Sequence, residues 1–181
     1  MRVRLIAGEY GGRFLEAPDT SRTHPMGERI RGAMFNILGD MTDKVVLDAF
    51  AGTGSVGLEA VSRGAATAWF IEKDRVAQKV IASNIRALGL EKQTRLVAAS
   101  VASWTETTDG QTFDLIFADP PYHDMQLAAV ARLTKYLKPN GLMILSHPGR
   151  ESAPTVNGVV VVDNRSYGDA ALAFYRLEDA A

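Results

Sequence analysis

A chain of 181 residues, 46% apolar and 23% charged, can bury a substantial core and has the composition of an ordinary globular protein. It holds no cysteine, which removes disulfides, thiolate zinc sites and cysteine nucleophiles, and its net charge of −1 gives little general attraction to polyanions. No apolar run approaches the ~20 residues of a membrane span, and the opening Met1-Arg2-Val3-Arg4-Leu5-Ile6-Ala7-Gly8 is broken too early for a signal peptide, so a cytoplasmic protein without a membrane partner is expected.

The N-terminal stretches Arg2 to Ala7 and Arg13 to Ala17 flank Gly8-Glu9-Tyr10-Gly11-Gly12 and predict a hairpin. A loop from Pro18 to Pro25 leads into the helical spacing of Ile30, Met34, Phe35, Ile37 and Leu38. Residues 1–31 set Arg2, Arg4, Arg13, Arg22, Arg29 and Arg31 against Glu9, Glu16, Asp19 and Glu28, so the local basic excess is carried by arginine. Arginine forks match phosphate oxygens, although a solvated hairpin of mixed charge has the same composition.

From Lys44 onward, apolar runs and helical patterns alternate. Strands are predicted at 44–49, 67–72, 94–99, 113–118 and 141–146, and helices at 55–63, 75–89 and 125–137. That alternation implies a parallel sheet covered on both faces. Gly158 to Val162 and Ala171 to Tyr175 read as two further strands joined by 163–169, which would close a seven-stranded sheet with a hairpin and an antiparallel edge strand. His24, His123 and His147 have no paired spacing, so they read as surface or loop residues and no metal site is expected. Residues 1–181 are expected to form one domain, with an extension over 1–40 and a core over 41–181.

The run Lys44 to Phe50 followed by Ala51-Gly52-Thr53-Gly54-Ser55-Val56-Gly57 is strand, glycine loop, helix, the plan of a nucleotide pocket. Gly52, Gly54 and Gly57 match the dinucleotide fingerprint, with Glu72 near the spacing of its ribose-binding acid. Asp48 argues against a dinucleotide, because an aspartate at the strand end would repel a pyrophosphate. S-adenosylmethionine carries a sulfonium and an ammonium and no phosphate, so an acid there is favourable. Asp48, Phe50, Ala51, Gly52, Thr53 and Gly54 are then the candidate methionine-side contacts, and Glu72 with Lys73 the ribose side. A capping Asp48 and a solvated Glu72 beside Lys73 and Asp74 would use the same letters.

Downstream, Phe113 to Ala118 ends in Asp119-Pro120-Pro121-Tyr122. A carboxylate, an extended carbonyl held by the following proline and an aromatic face suit a planar base bearing an exocyclic amine. Asp119 can accept one N–H, the Pro120 carbonyl the other, and Tyr122 can stack on the ring. A strand ending in a proline turn is the plainer reading. The absence of cysteine disfavours methylation of a pyrimidine carbon, which usually needs a thiolate adduct, and leaves amine methylation open.

Together these residues resemble the RsmD-type methyltransferases nearly end to end. The resemblance runs through Ile6-Ala7-Gly8, Gly12-Arg13, Leu15, Pro25, Arg29-Ile30-Arg31 and Met34-Phe35-Asn36-Ile37-Leu38. It continues through Leu47 to Gly54, Gly57-Leu58-Glu59-Ala60-Val61-Ser62-Arg63-Gly64-Ala65, Phe113 to Tyr122 and Tyr167-Gly168-Asp169. It implies a class I S-adenosylmethionine-dependent methyltransferase fold of α/β type, Rossmann-like, with a seven-stranded mostly parallel sheet and an N-terminal hairpin plus helix. It also implies methylation of a guanine N2 amine in bacterial 16S rRNA, within a partly assembled small ribosomal subunit, by a monomer that releases S-adenosylhomocysteine. Asp119, Pro120, Pro121 and Tyr122 would be catalytic, and Arg13, Arg22, His24, Arg29 and Arg31 would touch RNA. The chain departs from the family at His24, Met26 and Gly32. Ser100 replaces the acid that often follows the third strand near the adenine amine, so a serine hydroxyl or backbone groups are expected there. Adenine-N6 methylation of DNA or RNA, methylation of a protein glutamine, and a cofactor-binding ribosome assembly factor remain the alternatives.

Overall fold

Residues 2–18 and 26–178 are described by a computed structural model of the chain. Strands β1 (Arg2–Arg4) and β2 (Phe14–Glu16) pair antiparallel as a small separate hairpin, followed by helix α1 (Glu28–Leu38). The core then alternates β3 (Val45–Asp48), α2 (Ser55–Ser62), β4 (Thr67–Glu72), α3 (Arg75–Leu88), β5 (Thr94–Ala98), α4 (Val101–Thr107), β6 (Phe113–Ala118) and α5 (Leu127–Leu133). It finishes with β7 (Leu137–Pro148), β8 (Val159–Tyr167) and β9 (Ala170–Leu177).

The seven core strands lie in the order β5-β4-β3-β6-β7-β9-β8. Alternation along each strand divides the core: Val46 packs on one face with Met34, Phe35, Leu58 and Ile81, and Leu47 packs on the other with Trp104, Val130 and Leu133. Helix α3 shows why the sequence pattern works. Ala77, Ile81, Asn84, Ile85 and Leu88 make one buried stripe, Asp74 caps its start by accepting the Ala77 N–H at 2.9 Å, and Gly89 at φ 68 ends it.

Four expectations need correction. The antiparallel strand is not at the edge: β9 is inserted between β7 and β8 and pairs antiparallel with both. The predicted 163–169 connection is mostly strand, because β8 is an edge strand, where the exposed polar residues Asn164, Arg165 and Ser166 are tolerated. Helix α4 was not expected; its Ser and Thr residues are weak helix formers, and it is held by the Ser100 cap and by Trp104, which stacks 4.6 Å from Tyr136. His147 lies on neither surface nor loop, being fully buried in β7 with Nε2 2.8 Å from Asn164 Oδ1.

The N-terminal hairpin and α1 are fastened to α2 chiefly by the Glu59 side chain. Glu59 is fully buried, and its Oε1 accepts the Ile6 N–H at 2.9 Å and Arg31 Nε at 3.3 Å. Its Oε2 accepts the Ala7 N–H at 3.1 Å and Arg63 Nε at 2.9 Å. Arg31 is equally buried and also donates to the carbonyls of Met26 and Arg4. Ser62 adds a donor to Ala7 O at 2.6 Å and an acceptor for Tyr10 N–H at 3.0 Å. Gly8 makes this approach possible: at φ 85, a Cβ placed there would lie 1.9 Å from the Ser62 carbonyl oxygen.

Replacing Glu59 with alanine should lower unfolding free energy by about 3–5 kcal/mol, the scale for orphaning buried ionic partners. Denaturant titration checks this, and a loss below about 1 kcal/mol would show that the carboxylate does not fasten the extension.

Candidate active site

The chain visits β3, β4 and β5 toward one edge, then crosses to β6 and β7 on the other side of β3. The crevice at the carboxyl ends of β3 and β6 is therefore a topological switch point, where open α/β sheets bind ligands. Asp48 ends β3, Glu72 ends β4, and Asp119 follows β6. A cleft of about 980 Å³ opens there, and it brings together Phe50, Ala51, Gly52 and Thr53, Lys73, Ser100, and all of Asp119 to Tyr122. Gly54 does not line it. At φ 81 it sits at the start of α2 and turns the loop into the helix.

The glycine loop is closed from within. Gly52 N–H donates to Glu72 Oε1 at 2.8 Å and Ala51 N–H to Ile71 O at 3.0 Å, which ties the loop to β4. At the N-terminus of α2, Ser55 N–H is taken by Thr53 Oγ1 at 3.1 Å and Gly57 N–H by Asp48 Oδ2 at 3.0 Å. Those are donors a pyrophosphate would need, so the loop resembles a dinucleotide site in sequence and differs from it in available groups. Gly57 serves packing: a Cβ there would lie 2.4 Å from Phe70 Cε1.

Glu72 also accepts the Asp74 N–H at 2.8 Å, so each of its oxygens already holds one backbone donor. Each retains a lone pair for a hydroxyl. Ser100 accepts the Ser103 N–H at 3.0 Å as the cap of α4, which leaves its O–H free to donate into the cleft it lines.

Burial dominates the cleft's electrostatics. Asp48 is pushed up to about 8 by loss of solvent, with the Gly57 N–H opposing and Asp119 and Glu72 adding repulsion. Asp119 is pushed up to about 6, again by burial, with Ser146 opposing. An acidic cleft whose carboxyls resist ionisation is stabilised by a cation placed among them.

Beyond Asp119, the loop is arranged as the motif suggests. Pro120 is buried, and among the described residues its carbonyl accepts no hydrogen bond, whereas that of Pro121 accepts Asp124 N–H at 3.0 Å. Tyr122 is 39% exposed, but its hydroxyl is fixed 2.7 Å from Ser146 Oγ. Sequence reading missed Ser146; a lone hydroxyl after Met143-Ile144-Leu145 was its only signal. Also missed were Met26, Gly27 and Ile30, which wall the cleft from the extension, and Gln126, held at φ 50 on its rim.

The arginine set is divided. Arg13 is exposed and donates to Ala87 O at 3.1 Å, and Arg29 is exposed on α1. Arg31 is withdrawn from the RNA-contacting set, because its guanidinium is fully buried against Glu59. Arg22 and His24 lie outside the described residues.

Asp48 weakens the empty fold. Its pKa is about 8 folded against an ordinary 3.8, so the unfolded chain binds fewer protons between those values and stability falls as pH rises through that window. Asp48→Asn should therefore be more stable than the parent, by a margin that grows from pH 4 to pH 8. Thermal unfolding across that range checks it, and a pH-independent margin would refute the assignment.

Comparison with known proteins agrees with this geometry. The family model described as Conserved hypothetical protein 95 matches residues 3–176. Ribosomal RNA small subunit methyltransferase D of Escherichia coli is 32% identical over 159 residues, covering 86% of this chain and 79% of that protein. The Haemophilus influenzae protein of the same name is 28% identical over 180 residues, covering 96% and 93%. The solved structure of yhhF from Escherichia coli superposes with a TM-score of 0.87 at 30% identity, covering 98% of this chain and 99% of that one. The seven-stranded, class I methyltransferase architecture expected from the sequence is the one observed. The chain belongs to the Conserved hypothetical protein 95 family, and its resemblance to the RsmD-type methyltransferases is borne out.

Proposed function

We propose that this protein transfers a methyl group from S-adenosylmethionine to the N2 amine of a guanine in 16S rRNA. The observation that carries the reading is the pairing of Asp48 and Asp119 at the switch point, beside a glycine loop whose Ser55 and Gly57 N–H groups at the helix start are already occupied. An acidic cleft in which two of the helix-end donors are taken by Thr53 and Asp48 favours a cationic, phosphate-free nucleoside. The names of the Escherichia coli and Haemophilus influenzae relatives support small-subunit rRNA as substrate.

S-adenosylmethionine supplies an electrophilic methyl on its sulfonium and leaves as S-adenosylhomocysteine. Asp48 faces its cationic end, Glu72 takes the ribose hydroxyls, and Ser100 the adenine edge. A guanine amine inside a stacked helix is out of reach, so the base must be everted or unpaired. Asp119 and the Pro120 carbonyl accept its N–H groups and aim the nitrogen lone pair along the displacement line, while Tyr122, tethered by Ser146, supports the ring. Asp119 stabilises the positive charge that develops on nitrogen. The proton is lost after transfer, so no strong base is needed. We place the enzyme in the cytoplasm as a single-domain monomer, acting on a partly assembled small subunit with residues 1–40 toward the RNA. Among the described residues no helix is long and apolar enough to cross a membrane.

Asp119→Ala should keep cofactor binding and lose at least ~100-fold in methyl transfer, the scale of misplacing a reacting group. Calorimetry and labelled methyl incorporation separate the two, and N2-methylguanosine is the expected product nucleoside; near-parental turnover, or N6-methyladenosine instead, would overturn the assignment. In the parent, kcat/KM should fall as pH drops through about 6, where Asp119 of the free enzyme takes up its proton.

Asp48 supplies a second pH signature. A bound cation favours its carboxylate, so binding at pH 7 should release up to one proton, and affinity should rise with pH before levelling above about 8. Calorimetry in buffers of different ionisation enthalpy reads the proton directly. Binding without proton release would remove Asp48 from the cationic end.

A further inference from the structure

Two segments that the methyl-transfer chemistry leaves unused, Met34-Phe35-Asn36-Ile37-Leu38 and Tyr167-Gly168-Asp169, meet in space. Ala33, Asn36 and Ile37 of α1 and Arg165 and Tyr167 of β8 line a shallow groove of about 490 Å³, within the range of small-ligand clefts. The groove lies next to the candidate cleft along α1 and the β8–β9 hairpin. Gly27 just before α1, Ile30 of α1 and Ala170 of β9 line the cleft, while Ala33 and Ile37 lie on the same helical face as Ile30, and Tyr167 pairs directly with Ala170.

The chemistry on this wall is that of a nucleotide site. Ala33 and Ile37 give an apolar floor, Tyr167 an aromatic ring, and Arg165 a guanidinium whose Nε is held by Asp163 at 2.9 Å. Asn36 is exposed in mid-helix, where it is a poor helix former, and among the described residues its amide has no partner. Tyr167 is half-buried, and its hydroxyl makes no hydrogen bond among the described residues while interacting electrostatically with Arg165. Arg29 stands four residues before Ala33 on the same stripe and is exposed. From Ile30 to Asn36 the helix advances ~9 Å at 1.5 Å per residue, the rise of two to three stacked nucleotides.

We infer that this groove holds an unpaired nucleotide flanking the target guanine on the same RNA strand, its base resting on Ile37 and Tyr167 and its edge read by the Asn36 amide. The inference rests on the RNA methyl-transfer reading above. Asp163 and Asp169 offset the local cations, so stacking and the amide, not net charge, select the occupant. A ribosomal protein segment is the competing occupant, and the experiment separates the two.

Methyl transfer would be measured on small subunits isolated from cells lacking this modification, with cofactor affinity followed by calorimetry. Asn36→Ala replaces a poor helix former with the best one, so stability should not fall, yet kcat/KM should drop about 5-fold; Tyr167→Ala should cost about 10-fold, the range of a lost base-stacking contact. Cofactor affinity should be that of the parent in both. A photo-cross-linking amino acid in place of Tyr167 should label an rRNA nucleotide adjacent to the methylated guanine. Parental kcat/KM in both variants, or cross-linking confined to a ribosomal protein or to distant RNA, overturns the groove while leaving the methyl-transfer reading standing. A parent protein that transfers no methyl group to small-subunit RNA overturns both.

Discussion

The Glu59 carboxylate is the constraint on which the active-site wall depends. Each of its two buried oxygens accepts two donors, from Ile6, Ala7, Arg31 and Arg63, so it joins the hairpin, α1 and α2 in one charged knot. Two guanidiniums around one carboxylate gain little over apolar packing in free energy, and their value lies in direction. An apolar contact would let α1 slide, whereas this geometry admits one seating. Because Met26, Gly27 and Ile30 line the cleft, the seating of α1 fixes how wide the substrate side opens.

Charge is distributed for opposite purposes on the two sides of α2. Toward the extension, Glu59 is surrounded by donors and cations. Toward the cleft, Asp48 is buried with one backbone N–H and faces two other acids. The first arrangement holds the fold together, and the second works against the empty fold while preparing a place for positive charge. This is the ordinary trade between stability and function at a site, here divided between residues on a single strand–loop–helix unit.

The sheet's topology explains why Asp48 and Asp119, 71 positions apart in sequence, line one cleft. Asp48 ends, and Asp119 follows, strands that lie side by side, and the reversal of strand order between them leaves no crossover helix to cover the gap. Ser146, at the end of the next strand, reaches Tyr122 for the same reason.

Much of this was legible in the sequence. Period-2 and period-3.6 patterns located the sheet and most helices, and Asp48, Glu72 and Asp119 were marked by their places at strand ends, because local spacing and apolar runs are local properties. Tertiary structure alone decided the rest. Arg31 reads as a phosphate contact and is a buried strut, since whether a charge meets solvent depends on what folds over it. The polar stretch at 163–166 reads as a loop and is an edge strand, since polarity is tolerated where one side of a strand faces water. The Ser146 tether, the wall from α1 and the groove shared by Asn36 and Tyr167 join distant segments, and no local pattern encodes which distant segments will come together.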